Sequence, residues 1–403
     1  MKKLINYAQR SVGLLFGLTL LAVSFLFPRN RKIWIFGSNM GFSNNAKFFC
    51  LYLSGSKEVR PIWIGDSKEV SDARRMNLEA YKRYSLKGLF YSLIGGVYLF
   101  NSYVKDINLF TFGRAVRVNL WHGVGLKNCE RKITKGPVAN IYASHNPLLK
   151  LSYLHFFIKP HYLLSTSQLM SECQSSFFDI PLTNVINNMY PRCEVFNEER
   201  PLTKMVESMM DDITRKLIEL CSVSAYTYLY MPTWRDSNYN FFGDFDFVKI
   251  NQILKCRGEY MLLKLHPGSR LEIDITTCDH IIQIDRYADI YEVIRYTDCL
   301  ITDYSSIYYD YILMRGKRII LYIPDYEHYI SEDRDLAFDY KMSTVGEFAY
   351  SFMDLADLIE NRTIGRFEYE GMDDIVERFW GNTPESSCKD LYEKILDKIG
   401  NVL

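Results

Sequence analysis

Four segments of this chain place chemistry-bearing side chains where an apolar run ends. The first is Trp121-His122-Gly123-Val124-Gly125-Leu126-Lys127. A histidine directly after a strand, followed by glycines that let a substrate or another backbone approach, is placed for proton transfer. It could equally satisfy a loop carbonyl. The second is Met231-Pro232-Thr233-Trp234-Arg235-Asp236, where Arg235 could fork onto phosphate oxygens or pair with Asp236 as a loop clamp. The third is Leu263-Lys264-Leu265-His266-Pro267. Lys264 and His266 alternate with leucines and so should share one strand face. The fourth is Thr302-Asp303-Tyr304-Ser305-Ser306-Ile307. There Ser305 or Ser306 would open a helix, either as a simple cap or as an anion-binding N-terminus.

Together these segments supply histidines, an arginine, lysines and a serine pair, without clustered acidic metal ligands. The single Asp-x-Asp match, Asp244-Phe245-Asp246, lies in a Phe-rich loop. The set suits a diphosphate-containing donor neutralised by protein groups, with no metal site and no cofactor.

The elements that must position these residues read as α/β. From Lys32 onward short apolar runs alternate with helical patterns, which implies parallel sheets. In the first half, strands are expected at Ile33–Phe36, Pro61–Ile64, Val97–Phe100, Val118–Trp121, Ile141–Ala143 and Tyr162–Ser165. Helices are expected at Ala46–Leu53 and Gln168–Phe178. A linker at Glu194–Lys204 leads into a helix Val206–Leu220. The second half repeats the alternation: strand Tyr228–Met231, helix Phe247–Lys255, strands Tyr260–Leu265, Ile281–Ile284, Cys299–Thr302 and Arg318–Ile323, and helix Ser306–Met314. Asp285 is expected to cap a further helix, with Tyr287, Ile290, Tyr291 and Ile294 on its apolar face and Asp289, Glu292 and Arg295 pointing elsewhere. The domains are read as 1–31, 32–200 and 201–403.

The chain has 403 residues, with 48 Lys+Arg against 48 Asp+Glu, so bulk charge gives no reason to expect nucleic acid. Nine scattered cysteines argue against a disulfide scaffold. The uncharged stretch Ser11–Phe27, flanked by Lys2, Lys3 and Arg10 and then by Arg29, Arg31 and Lys32, would span about 25 Å as a helix. It is expected to attach the protein to the cell membrane, with a secretory signal and a buried core helix as the other readings, and its two basic flanks give no orientation.

The ordered blocks WHGVGLK, YPR (Tyr190-Pro191-Arg192), PTWRD, LLKLHP, ADIYEVIRYTDCLITDYSSIYYDY and YIPDYEHYISEDRDLAFDY resemble the CDP-glycerol:glycerophosphotransferase family. The family makes teichoic acids and related capsule polymers. The resemblance implies a GT-B-like fold, two Rossmann-like domains facing across a cleft, here with the N-terminal apolar membrane-associating segment. It implies transfer of a polyol phosphate from CDP-glycerol or CDP-ribitol to a hydroxyl of a lipid-linked glycan or growing polymer, releasing CMP. By motif, His122 matches an acceptor-side base, and His266 and Arg235 match donor-phosphate contacts. Ser305 and Ser306 match serines at the diphosphate, with Asp303 orienting their loop and Arg334 near the donor. Lys264 is counted with the donor side, Gly123 and Lys127 with the acceptor side. This chain departs from the family's usual residues at Val124-Gly125, Met189, Cys193-Glu194 and Asp335. A nucleotide-sugar glycosyltransferase and a non-catalytic scaffold of the same fold are the rival readings.

Overall fold

A computed structural model describes residues 2–235, 237, 240–266, 268–269 and 274–400, with side chains from Gly13 onward. Asp236 and Pro267, and the side chains of Lys2, Lys3, Arg10 and Ser11, lie outside the described residues. Seven strands build the first sheet: β1 Asn30–Gly37, β2 Arg60–Gly65, β3 Ala80–Lys82, β4 Gly95–Phe100, β5 Val116–Asn119, β6 Tyr162–Ser165 and β7 Val185–Asn187. Six build the second: β8 Thr227–Met231, β9 Tyr260–Leu263, β10 Ile281–Gln283, β11 Cys299–Thr302, β12 Arg318–Tyr322 and β13 Glu347–Ala349. Every strand pair is parallel. Helices cover both faces, so strands such as Ile33-Trp34-Ile35-Phe36 are buried on both sides and read as continuous apolar runs.

The sheet orders are β3-β2-β1-β4-β5-β6-β7 and β10-β9-β8-β11-β12-β13. Each therefore reverses direction once, between β1 and β4 and between β8 and β11. In open α/β sheets ligands sit outside the carboxyl ends of the strands at such a reversal. Those ends carry Ser38 and Asn101 in the first sheet, and Pro232 and Asp303 in the second.

Several local expectations change. Residues 141–143 end a helix, Gly136–Ala143, because Pro137 sits at its first turn, where proline starts helices well. The linker region is folded: Glu194 is buried and its Oε2 accepts from the Cys388 N–H at 2.6 Å. The long helix is two, Pro201–Met209 and Asp212–Val223, divided where Asp211 caps the second by accepting from Thr214 N. The helix expected after Asp285 is instead two 3-10 turns, Ile290–Glu292 and Ile294–Tyr296. Ile290, Tyr291 and Ile294 are buried as the pattern implied, but Tyr287 is exposed and Glu292 turns inward.

The N-terminal membrane-associating segment is overturned. Among the described residues no helix is long and apolar enough to cross a membrane. The helix Lys2–Ser24 carries Lys2, Lys3 and Arg10 within it, which shortens its apolar run. Its carboxyl end is part of the first domain. Gly17 abuts the Phe110 ring, leaving 2.6 Å for any added Cβ, and Leu21 packs on the core under β1 and β4. Fully buried Ser24 accepts from the Gly113 N–H at 3.0 Å, and Phe25 meets Phe112 edge-on.

The two sheets are joined through buried contacts. Lys47, on the helix Asn44–Leu53, reaches Asp289 at 3.1 Å and also bonds Glu292. Arg192 pairs with Asp310 at 2.6 Å, both of them buried. The helices Met372–Trp380 and Cys388–Gly400 return to the first sheet, where the Thr166 hydroxyl donates to Phe379 O and the Asn188 amide to Ser387 O.

Candidate active site between the two sheets

His122 follows β5 on a turn in which Trp121 takes a left-handed conformation, φ 52°. A non-glycine residue held there stores strain, and strain of this kind clusters at functional sites. Three side chains hold the turn. The Asn45 amide donates to the carbonyls of Leu120 and Trp121, each at 3.0 Å. The Tyr190 hydroxyl donates to Gly123 O at 3.1 Å, and Arg192 Nη1 donates to His122 O at 2.7 Å. Arg192 also bonds Asn44 and, across the domain boundary, Asp310. The histidine loop is thereby tied to both domains.

The imidazole has its Nδ1 at 3.1 Å from Asn101 O and 3.4 Å from Ser102 Oγ. A carbonyl only accepts, so Nδ1 carries the proton and Nε2 is left with a lone pair. Nε2 makes no hydrogen bond to any described residue. Burial pushes the pKa down to about 4, helped by the positive charge of Arg192 and by His266. The ring is therefore neutral at ordinary pH and ready to accept a proton. His266 is near enough for its charge to oppose that of His122.

The second domain approaches through the loop after β11. A Cβ on Gly123 would stand 2.6 Å from Ser306 Oγ, so the histidine loop and the serine loop are in contact. Ser305 and Ser306 are half-buried, and Ser306 begins the short helix Ile307–Tyr311 without a side-chain cap bond. Asp303 accepts from the Thr233 N–H at 2.9 Å, joining this loop to the one after β8.

Arg235 lies within that junction. Its guanidinium pairs with Asp303 at 2.9 Å and Asp325 at 2.7 Å and donates to Thr233 O at 2.7 Å. The rings of Phe241, Tyr304 and Tyr329 surround it. Five per cent exposed and engaged on every side, Arg235 fastens the loops, with Asp303 and Asp325 as its partners.

Lys264 and His266 do not share a strand face, since β9 stops at Leu263. Lys264 is buried and donates to Arg286 O at 2.6 Å, and burial lowers its pKa to about 8. His266 is exposed, with Nδ1 accepting from Gly268 N at 3.0 Å and its ring 6.2 Å from that of Trp234. Lys127 and Arg334 lie near Asp303: the Lys127 ammonium is 5.7 Å from the Tyr329 ring and feels Asp303, Arg334 and Arg235. Among the described residues no group of three or more His, Cys, Asp or Glu side chains is placed to hold a metal ion.

Sequence reasoning missed Asn45, Arg192, Asp310 and Asp325. Arg192 stood in the Tyr-Pro-Arg block but carried no assigned role. Asp310 had a signal, an acid on the apolar face of a helix, which must find a cationic partner if buried.

Two parallel sheets of this order, with strand ends converging on one gap, define a GT-B-like two-domain fold. The chain belongs to the CDP-Glycerol:Poly(glycerophosphate) glycerophosphotransferase family, whose family model matches residues 19–397. It is 25% identical over 391 residues to a teichoic acid poly(glycerol phosphate) polymerase of Bacillus spizizenii, covering 92% of this chain and 93% of that one. It is 23% identical over 340 residues to a teichoic acid glycerol-phosphate transferase of Staphylococcus aureus, covering 82% and 84%. Its fold is similar to that of a variant of the wall teichoic acid polymerase TagF soaked with CDPG, with a TM-score of 0.74, 20% identity and 98% of each chain covered.

Proposed function

We propose that the enzyme transfers glycerol phosphate or another polyol phosphate from a CDP-polyol to a hydroxyl of a growing teichoic-acid-like or capsule polymer, or of a lipid-linked saccharide. CMP is the leaving group, and no cofactor takes part. The observation that carries this reading is His122 with its Nδ1 fixed on Asn101 O and its Nε2 unbonded to any described residue, on a loop whose Gly123 touches Ser306 of the second domain.

The acceptor oxygen attacks the β-phosphorus while Nε2 of His122 takes its proton. The bond from that phosphorus to the bridging oxygen breaks, and the electron pair leaves with CMP. Catalysis of such a step is mostly positioning and charge neutralisation. Backbone N–H groups around Ser305 and Ser306, together with Arg334, supply the positive environment, and His266 is a further contact to the donor. The reaction is placed at the cell envelope on the cytoplasmic side, where nucleotide-activated donors are made.

A donor panel tests the reading. Purified protein, given an oligomeric polyol-phosphate acceptor, should release CMP from CDP-glycerol or CDP-ribitol, followed by mass. Release of nucleoside diphosphate from a nucleotide sugar, with none from either CDP-polyol, would overturn it.

A further inference from the structure

The sequence puts Lys127 with the acceptor side, but the structure stitches its backbone to the donor domain. Asn128 N donates to Asp335 O at 3.1 Å and Ala337 N to Leu126 O at 2.8 Å, with Lys127 opposite Leu336 in an antiparallel bridge. One side-chain bond latches this strap: the Asn128 amide donates to Asp335 Oδ2 at 2.8 Å. A loop leaving the catalytic histidine of the first domain thus crosses the gap and is held against the second.

The strap aims Lys127 at the donor loop. Its ammonium stands over Tyr329, which stacks on Tyr304 with ring centroids 3.9 Å apart, and Tyr304 adjoins Asp303. Asp303 itself is occupied by Arg235 and Thr233 N. Lys127 makes no ion pair or hydrogen bond to any described residue, although it is half-buried. A partly desolvated cation whose neighbouring carboxylate, Asp303, is already paired with Arg235 is costly unless an anion arrives there.

We propose that Lys127 is a donor-binding residue supplied across the cleft: its ammonium neutralises the diphosphate of the CDP-polyol, and the Asn128–Asp335 pair is the positioning device that keeps it there. This rests on the donor class argued above and deepens it, since a first-domain side chain then completes a second-domain site. Binding requires both domains to be strapped together, and the charge leaving on CMP is met by the group nearest the base-bearing loop.

The electrostatics agree. Burial, together with Arg334 and Arg235, lowers the Lys127 pKa to about 8, while Asp303 and Cys129 act in the opposite sense. The free site is thus mostly cationic at neutral pH and loses that charge in mild alkali. An arriving diphosphate would hold the proton on.

Calorimetry of CDP-glycerol and CDP-ribitol with the full chain tests the idea. Lys127→Ala and Lys127→Gln should weaken donor binding roughly ten- to a hundredfold, the range for hydrogen bonds to charged groups, with an unchanged melting temperature. Lys127→Arg should recover most of it. Affinity of the parent should fall as pH rises from 8 towards 10, and this fall should disappear in Lys127→Arg, which stays charged. Asn128→Ala and Asp335→Ala should each weaken binding in the parent but add nothing on top of Lys127→Ala, a non-additivity that general destabilisation does not produce. Equal donor affinity in parent, Lys127→Ala and Lys127→Gln overturns the role of Lys127 alone. A parent that binds neither CDP-polyol overturns the donor class and this inference together.

Discussion

Gly123 in the first domain and Ser306 in the second stand so close that a single added methyl group would lie 2.6 Å from the serine oxygen and 2.9 Å from its Cβ. No ordinary carbon contact is that short, so the absence of a side chain at 123 lets the base-bearing loop and the serine loop meet. Gly123→Ala should move Ser306 relative to His122 and cut kcat/KM by about 100-fold, the scale of a 1 Å misplacement. A melting curve close to that of the parent should accompany the loss. Full activity in the variant would show that the two loops do not meet during turnover.

His122→Ala should abolish CMP release while leaving donor binding intact, because Nε2 acts on the acceptor hydroxyl. The parent should keep its kcat/KM down to about pH 5 and lose it as the imidazole protonates near pH 4. Turnover that survives the substitution would remove the histidine from the reaction.

Arg235→Ala should unfold the site before it alters chemistry. It leaves Asp303 and Asp325 buried without their cation, a loss of about 3–5 kcal/mol. Thermal or urea unfolding measures it. A variant of unchanged stability with weakened donor affinity would mean that the guanidinium is released to the substrate instead.

Lys47→Ala should be similarly damaging, because Asp289 and Glu292 would remain buried around nothing. Combining Lys47→Met with Asp289→Asn and Glu292→Gln should recover much of the lost stability, since replacing a whole buried ion cluster is often neutral. Failure to recover would assign the lysine a role beyond pairing.

Asp106 predicts a pH dependence of stability. Burial is the main cause that raises its carboxyl to about 7, against an ordinary value of 3.8. From about pH 4 to 7 the folded protein then holds a proton that the unfolded chain has given up, so stability falls as pH rises through that window. Asp106→Asn should narrow the difference in melting temperature between pH 5 and pH 8. It should not erase the difference, because Glu69 is also raised to about 7. An unchanged difference would show that Asp106 is already ionised in the fold.

What the sequence made legible follows from burial on two faces. Ile33–Phe36, Tyr162–Ser165 and Cys299–Thr302 are buried throughout, polar only at Ser165 and Thr302, and each belongs to an interior strand. The short edge strands β3 and β7 have too few residues to show a pattern. Ile141–Ala143 looks like a strand because three apolar residues carry no period, and Pro137 upstream decides for helix. The blocks around His122, Asp303 and Ser306 could be found because each ends a strand. Their partners could not be paired from spacing alone: Arg192 and Asp310, or Lys47 and Glu292, are far apart along the chain and meet only when two sheets do. Glu292 in particular, charged and next to solvent-facing positions in any helical reading, turns inward because its segment is not a regular helix. The Ser11–Phe27 run misled for a different reason: its helix meets the first domain only along Gly17, Leu21 and Ser24 and leaves Leu15, Phe16 and Leu26 exposed, and sequence alone does not say how much of an apolar run is covered.

The closing helix Cys388–Gly400 buries Leu391, Ile395 and Ile399 in the same core as Trp34 and Phe36 of the opening strand, and the Tyr392 ring lies 5.5 Å from that of Trp34. On the ribosome, the first sheet must therefore wait with that flank uncovered until Cys388–Gly400 has been synthesised. Trimming the carboxyl-terminal helix should consequently injure the half of the protein made earliest, and such truncations should be sought by proteases and chaperones through the amino-terminal domain.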